Sequence, residues 1–227
     1  MIKLSEKQLH DIIEWDVVNW SKGLDYFAST GYDFHEKYSL AIGERHGGLS
    51  LWMALNGASV VSTDLNGVSE EAKRKHIRYG VDKKITYREA NVLSLDFPSS
   101  TFDVVMFKSV IGALGEEQLQ QQAINEIRRV LKPGGVLFFA ENLVSSPIHG
   151  WLRKKFINWA GYWRYISIQE ASWFCSEFSS FAFSSAGFLG TLGRSESQRR
   201  LLGIADTVVE KIVPRRFHYV IFVAAVK

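Results

Sequence analysis

Tyr38-Ser39-Leu40-Ala41-Ile42-Gly43-Glu44-Arg45-His46-Gly47-Gly48 is the stretch on which the fold turns. A short apolar run enters a glycine-rich loop, and a second apolar segment then runs to Leu55, where Asn56-Gly57 stops it. The first run reads as a strand and the second as a helix closed by glycine. Working outward, Ala58-Ser59-Val60-Val61-Ser62-Thr63 is a second strand that ends on Asp64. A highly charged helix over 69–79 follows, then a third strand, Lys84-Ile85-Thr86-Tyr87-Arg88. Phe102-Asp103-Val104-Val105-Met106-Phe107 has almost no polar break, which predicts a strand buried on both faces. Leu119, Ala123, Ile127, Val130 and Leu131 recur at helical spacing before Lys132-Pro133-Gly134-Gly135, and Val136-Leu137-Phe138-Phe139-Ala140 is the fifth strand.

Strand and helix alternate from 38 to 140, which predicts an α/β fold with right-handed crossovers. Upstream, Ser5 with Gln8 forms a capping box, and Leu9, Ile13, Val17, Trp20, Leu24 and Phe27 predict one long helix over 5–28. Downstream, Phe188-Leu189-Gly190-Thr191-Leu192 is a weak strand, Ser195 with Gln198 opens a helix to about Val213, and His218 to Val226 is the last strand. The expected architecture is a doubly wound, mostly parallel seven-stranded sheet with an antiparallel last strand and helices on both faces. The expected division is a helical cap at 1–35, a ligand-binding core at 36–142, a variable insert at 143–185 and a closing strand-helix-strand at 186–227.

Composition narrows the class. The 227 residues are 46% hydrophobic and 22% charged, enough for one sizeable core and short for two full domains. Apolar content this high with a net charge of +3 excludes disorder. A single cysteine, Cys175, excludes a disulfide scaffold and fits a reducing compartment. No apolar run approaches the roughly 20 residues of a spanning helix, and residues 1–8 lack a signal-peptide core. A cytoplasmic location is expected. The charge is uneven: between Glu141 and Glu170 there is no acid, yet Arg153, Lys154, Lys155 and Arg164 fall there. One basic segment on a nearly neutral body is unlike a nucleic-acid binder, and no nucleic acid is expected as a partner.

The chemistry should lie at the carboxyl ends of the strands, where an open parallel sheet holds its ligand. Glycines at 43, 47 and 48 allow close backbone approach, and the helix that follows offers free N–H groups. Asp64, 21 residues beyond Gly43, stands where a carboxylate accepts both hydrogen bonds from a ribose diol. Asn91 follows the third strand, twelve residues before Asp103. In this order the chain resembles the class I (Rossmann-like) S-adenosylmethionine-dependent methyltransferases. Their glycine loop, acid after strand two, Asp or Asn after strand three, Phe-Asp opening strand four and Leu-Lys-Pro-Gly-Gly turn match Gly43 with Gly47-Gly48, Asp64, Asn91, Phe102-Asp103 and Leu131–Gly135. A looser similarity, through Gly-Glu-Arg-x-Gly-Gly-Leu-Ser-Leu-Trp at 43–52, links it to methyltransferases of bacterial polysaccharide biosynthesis.

The resemblance implies that S-adenosyl-L-methionine is the cofactor and that no metal is needed. Gly43, Glu44, Arg45, Gly47 and Gly48 would wrap its methionine part, Asp64 its ribose, and Leu65, Asn91 and Val92 its adenine. Phe107 and Lys108 would pass beneath the sulfonium. Two departures stand out: Ala41 replaces the usual acid two residues before the first glycine, and Arg45 replaces a glycine. Glu44 would then receive the ammonium group and Arg45 the carboxylate. The methyl donor is already activated, so positioning the acceptor is the main task, with a base where the acceptor is a hydroxyl.

The sequence after strand four, Lys108-Ser109-Val110-Ile111, carries no Asn-Pro-Pro-Tyr element, and there is no Pro-Cys nucleophile. Oxygen acceptors remain. The base is expected just after strand five, where Glu141 ends the strand and His149, eight residues on, is the residue expected to act, by its intrinsic pKa near neutrality. Leu152, Phe156, Trp159 and Trp163 fall on one helical face with cations around them, an acceptor wall or a peripheral membrane contact through 151–165 at the inner face of the membrane. The expected reaction is O-methylation of a sugar hydroxyl or another small acceptor, free or lipid-linked. The alternatives are a quinone- or phenol-type small-molecule methyltransferase and a catalytically silent cofactor-binding regulator.

Overall fold

The computed structural model describes residues 2–158 and 161–227. The elements run α1 (Glu6–Ile13), α2 (Val17–Ser29), β1 (Tyr38–Ile42), α3 (Gly48–Leu55), β2 (Ser59–Asp64), α4 (Glu70–Arg78), β3 (Ile85–Glu89), β4 (Phe102–Lys108) and α5 (Glu117–Val130). They continue with β5 (Leu131–Asn142), α6 (Pro147–Phe156), α7 (Ile168–Phe174), β6 (Ser180–Ala186), α8 (Glu196–Ile212) and β7 (Val220–Val226). The seven strands form one sheet in the order β3-β2-β1-β4-β5-β7-β6. β1 to β5 pair in parallel, and β7 enters antiparallel between β5 and β6. The chain winds outward from β1 to β3 and then crosses back to β4, so the strand order reverses between β1 and β4. A crevice opens at their carboxyl tips, just past the pair Ile42 and Phe107.

Each face of the sheet is sealed by its own apolar layer. Leu40, Phe107, Leu137, Ile221 and Val223 lie in one with α5 and α7. Ala41, Met106, Phe138 and Phe222 lie in the other with α1, α2 and α3. The alternation of strand residues between the layers is the period-two geometry of a pleated strand covered on both sides. At the pole away from the crevice, Asp103 accepts from Lys132 Nζ at 2.8 Å and from the Tyr38 amide at 2.9 Å, tying β1, β4 and β5 together. The Phe-Asp and Lys-Pro-Gly-Gly motifs thus hold the sheet and lie away from the ligand edge.

Three sequence expectations are corrected. The N-terminal helix is two helices, broken where Glu14 and Asp16 take positive φ (74° and 46°), Asp16 in the left-handed conformation. Spacing cannot reveal the break, because Ile13, Trp20, Leu24 and Phe27 are buried in the same layer on both sides of it. The sixth strand is Ser180–Ala186, not 188–192. Buried Asp206 accepts from the amides of Phe188, Leu189 and Gly190 and folds that stretch into a turn instead. The basic aromatic helix ends at Phe156 rather than continuing to Trp163, and its Trp159 falls outside the described residues.

Candidate active site

Two cavities meet at the tips of β1 and β4. One of about 300 Å³ runs from Gly43 past Asp64, Leu65, Asn91 and Val92 to Val110. The other, about 260 Å³, is enclosed by Glu14, Trp15, the 43–49 loop, Lys108 and Ser109. Gly43 has φ +72°, and a Cβ there would lie 2.4 Å from Val110 Cγ2. Only glycine lets the loop turn there without filling the slot. A Cβ on Gly48 would meet the Ile12 carbonyl oxygen at 2.0 Å, so α1 packs directly on the start of α3.

Asp64 ends β2 with one carboxylate oxygen accepting from the Asn66 amide at 3.2 Å, an Asx turn that holds the side chain at the slot. Asn91 makes the equivalent turn to the Leu93 amide at 3.0 Å. Leu65 is exposed beside them and Val92 buried, so one end of the slot pairs two polar groups with an apolar wall.

The other end is charged. Glu44 is buried and accepts from the Ser50 amide at 2.7 Å; burial pushes its carboxyl up to about 7, against the pull of that hydrogen bond. Lys108 donates to the Ile13 carbonyl, its ammonium 3.5 Å from the Trp15 ring centroid. Burial pulls its pKa down to about 8, with Glu14 and Glu44 opposing. Arg45 is exposed and makes no ion pair among the described residues. This end offers carboxylates and ammonium groups, a donor set that fits a zwitterionic amino acid such as the methionine part of S-adenosylmethionine.

Sequence reasoning missed the third cavity. It measures about 550 Å³ and is lined by Trp15, Trp20, Trp163, Asp16, Ser109 and Asn142, among others. Ser109 lines all three cavities. It sits in the left-handed region (φ 57°) and accepts from Asn142 Nδ2 at 3.2 Å. Asp16 is buried at the helix break, accepts from Asn19 Nδ2 at 2.8 Å and lies 3.7 Å from Arg199 Nε. Burial pushes its carboxyl up to about 6, with Arg199 and Asn19 pulling it back. The signal was present in the sequence as Trp15-Asp16 inside an otherwise helical pattern, but it carried no Gly or Pro to mark a break.

The remaining sequence-predicted residues fall as follows. His149 is on α6, buried, with Nδ1 at 2.7 Å from Ser146 Oγ and Nε2 at 2.9 Å from the Phe188 carbonyl. Burial lowers its pKa. Phe107 is fully buried and stacks on Phe139 at 4.9 Å, a core contact rather than a ligand surface. Glu141 is buried below the crevice, accepts from the amides of Val110, Gly112 and Asn142, and so shapes the turn after β4. Of the basic segment, Arg153 and Arg164 turn inward. Arg164 pairs with Glu117 and Glu170, and only Lys154 and Lys155 remain on the open surface.

Residues 40–139 match the methyltransferase domain family. In its strand order and in the slot described above, this part of the chain is similar to the class I S-adenosylmethionine-dependent methyltransferases. A similar curated protein is the ubiquinone/menaquinone biosynthesis C-methyltransferase UbiE of Shewanella frigidimarina, 31% identical over 134 residues, 59% of this chain and 46% of that protein. The chain therefore spans about half the length of the curated relatives that it matches. Among solved structures, the YcgJ protein of Bacillus subtilis superposes with a TM-score of 0.62 at 14% identity, over 91% of this chain and 98% of that one. Phosphoethanolamine N-methyltransferase 2 of Haemonchus contortus, solved with S-adenosyl-L-methionine, gives 0.66 at 17% identity, over 98% of this chain and 57% of that one. These likenesses show the fold.

Proposed function

We propose that this protein transfers the methyl group of S-adenosylmethionine to a small ring-bearing acceptor of the phenol or quinol type. The observation that carries the reading is Ser109, where the two slot cavities and the tryptophan-lined cavity converge. The bound cofactor supplies an electrophilic methyl on a cationic sulfur. Asp64 holds the ribose hydroxyls, and Leu65, Asn91 and Val92 receive the adenine. The 43–48 loop wraps the methionine part, with Glu44 toward its ammonium and Lys108 and Arg45 toward its carboxylate. Trp15, Trp20 and Trp163 orient a flat ring and exclude water, which leaves the reaction to positioning in a dry site.

Asp16 is the proton acceptor in this reading. A carboxyl at about 6 is mostly ionised at neutral pH yet basic enough to receive a proton from a bound hydroxyl. His149, with both ring nitrogens engaged, positions α6 against the 188–191 turn. Residues 1–35 then cap the cofactor-binding core at 36–142, and the chain beyond 143 builds the acceptor wall. The name of the UbiE relatives, quinone-biosynthesis C-methyltransferases, supports a ring acceptor. A sugar hydroxyl is the second reading, favoured by the polar trio Asp16, Asn142 and Arg199 beside the tryptophans.

Calorimetry with S-adenosylhomocysteine, followed by transfer of labelled methyl to a panel of phenols, quinols and sugars, tests these readings. Turnover is expected on the aromatic members. Turnover on sugars alone would replace the first reading by the second, and cofactor binding without turnover would leave a silent cofactor-binding protein.

A membrane contact through 151–165 is also proposed. Trp151, Phe156 and Tyr162 are exposed beside Lys154 and Lys155, and no helix among the described residues is long and apolar enough to cross a bilayer. Flotation with anionic vesicles at low salt should recover the protein, and absence from the vesicle fraction would remove this contact.

A further inference from the structure

The tryptophan-lined cavity does not end at its polar trio. Through Ile157, Thr191, Arg199 and Tyr219 it continues into a compartment of about 280 Å³ that also holds Arg153 and Arg194. Arg153 is buried, 3% exposed, and has no carboxylate within ion-pair distance among the described residues. Its guanidinium is sandwiched between Tyr165 and Tyr219, 3.9 and 4.0 Å from their centroids. One nitrogen, Nη1, donates to the carbonyls of Leu143 and Val144. Nε and Nη2 are buried without an acceptor, and so is the Tyr165 hydroxyl.

A buried cation with unused donors is costly unless something negative completes it. Arg199 is already matched by Asp16 and Glu196, which leaves Arg153 and Arg194 as the unbalanced charges of the compartment. Arg194 makes no ion pair either among the described residues; its guanidinium lies 4.6 Å from the Phe156 ring centroid.

We propose that this compartment binds an anionic group of the acceptor, a carboxylate or phosphate, through Arg153 and Arg194 while the ring lies against the tryptophans. The proposal rests on the acceptor reading of the larger cavity and adds the class of acceptor: a ring that carries a negative charge at the end remote from Ser109. A planar guanidinium fork held by two tyrosines is suited to two parallel hydrogen bonds to such an anion.

Calorimetry of the whole protein with phenyl phosphate, benzoate, phenol and benzamide tests it, each titrated with and without S-adenosylhomocysteine. Phenyl phosphate and benzoate are expected to bind at least about tenfold more tightly than the neutral probes, the margin of a charge-assisted bidentate pair. Arg153→Lys and Arg194→Gln should each remove most of that margin and leave phenol unchanged. Arg194 is exposed, so its variant keeps the test open even where Arg153→Lys folds poorly. Equal affinity for charged and neutral probes overturns the proposal. So does an anion preference that persists in Arg194→Gln and in a folded Arg153→Lys, or binding of anionic vesicles with no response to the soluble anions. Heat from S-adenosylhomocysteine alongside any of these results leaves the cofactor reading intact, and its absence with anions still bound strikes that reading alone.

Discussion

The floor of the site and its roof are built in different ways. The floor consists of strand tips: Asp64 and Lys108 end parallel strands, and Gly43 and Asn91 come just after them, so strand register fixes where each loop begins. The roof is assembled from distant segments: the break between α1 and α2, the end of β5 with α6, Trp163, the 188–199 stretch and Tyr219. In the proposed reading the floor holds the methyl donor and the roof receives the acceptor. Rigid tips suit the first task, and assembled surfaces that vary independently of the sheet suit the second.

The largest separation between the two should come from Asp16→Asn, which keeps the shape of the roof and removes its base. The expected result is a loss of about 10²- to 10³-fold in kcat/KM with unchanged affinity for S-adenosylhomocysteine. Equal losses in both would place Asp16 in the floor and dissolve the distinction. Asp64→Ala is the converse: S-adenosylhomocysteine should bind about 10- to 100-fold more weakly, the worth of hydrogen bonds to a charged group, while phenol binding is unmoved.

The pH profile sharpens the comparison without mutation. Burial raises the Asp16 carboxyl to about 6, so the base is lost as pH falls through that value. Below it, kcat/KM should drop about tenfold per pH unit, while S-adenosylhomocysteine affinity, which depends on Glu44 with its carboxyl at about 7, should begin to weaken at higher pH than the base is lost. Gly43→Ala tests where floor and roof join. A side chain in a left-handed position against Val110 should cost about 2 kcal/mol and lower Tm by roughly 4–8 °C, read by calorimetric melting. Arg45→Ala is the mildest, because an exposed arginine binds a carboxylate in high dielectric. A loss of only about 2- to 5-fold in cofactor affinity is expected, and no loss would end its carboxylate role.

The same contrast explains what the sequence revealed. Strand-to-loop transitions are local, so Ile42-Gly43 and Thr63-Asp64 announce themselves in a few residues, and the buried run of β4 needs no context. Asp16 is different. Its importance comes from the positive φ of Glu14 and Asp16, burial under α8 through Arg199, and a cavity shared with Asn142, more than a hundred positions away. His149 attracted attention for its intrinsic pKa, a property of the free side chain. Its pairing with Ser146 and the Phe188 carbonyl is a property of the folded chain. Arg153 stood only as one of the cations around an apolar helix face, because periodicity registers faces and cannot register Tyr165 and Tyr219 closing over one.

Ser109 carries one more consequence. Its backbone occupies a region where glycine is at ease and a serine is strained by roughly 1 kcal/mol or more. A glycine there would relax the turn and toughen the molecule against heat, yet it would delete the hydroxyl that Asn142 holds at the crossroads. Anyone selecting thermostable variants of this chain should meet Ser109→Gly among the survivors, and should expect to find it among the poorer catalysts.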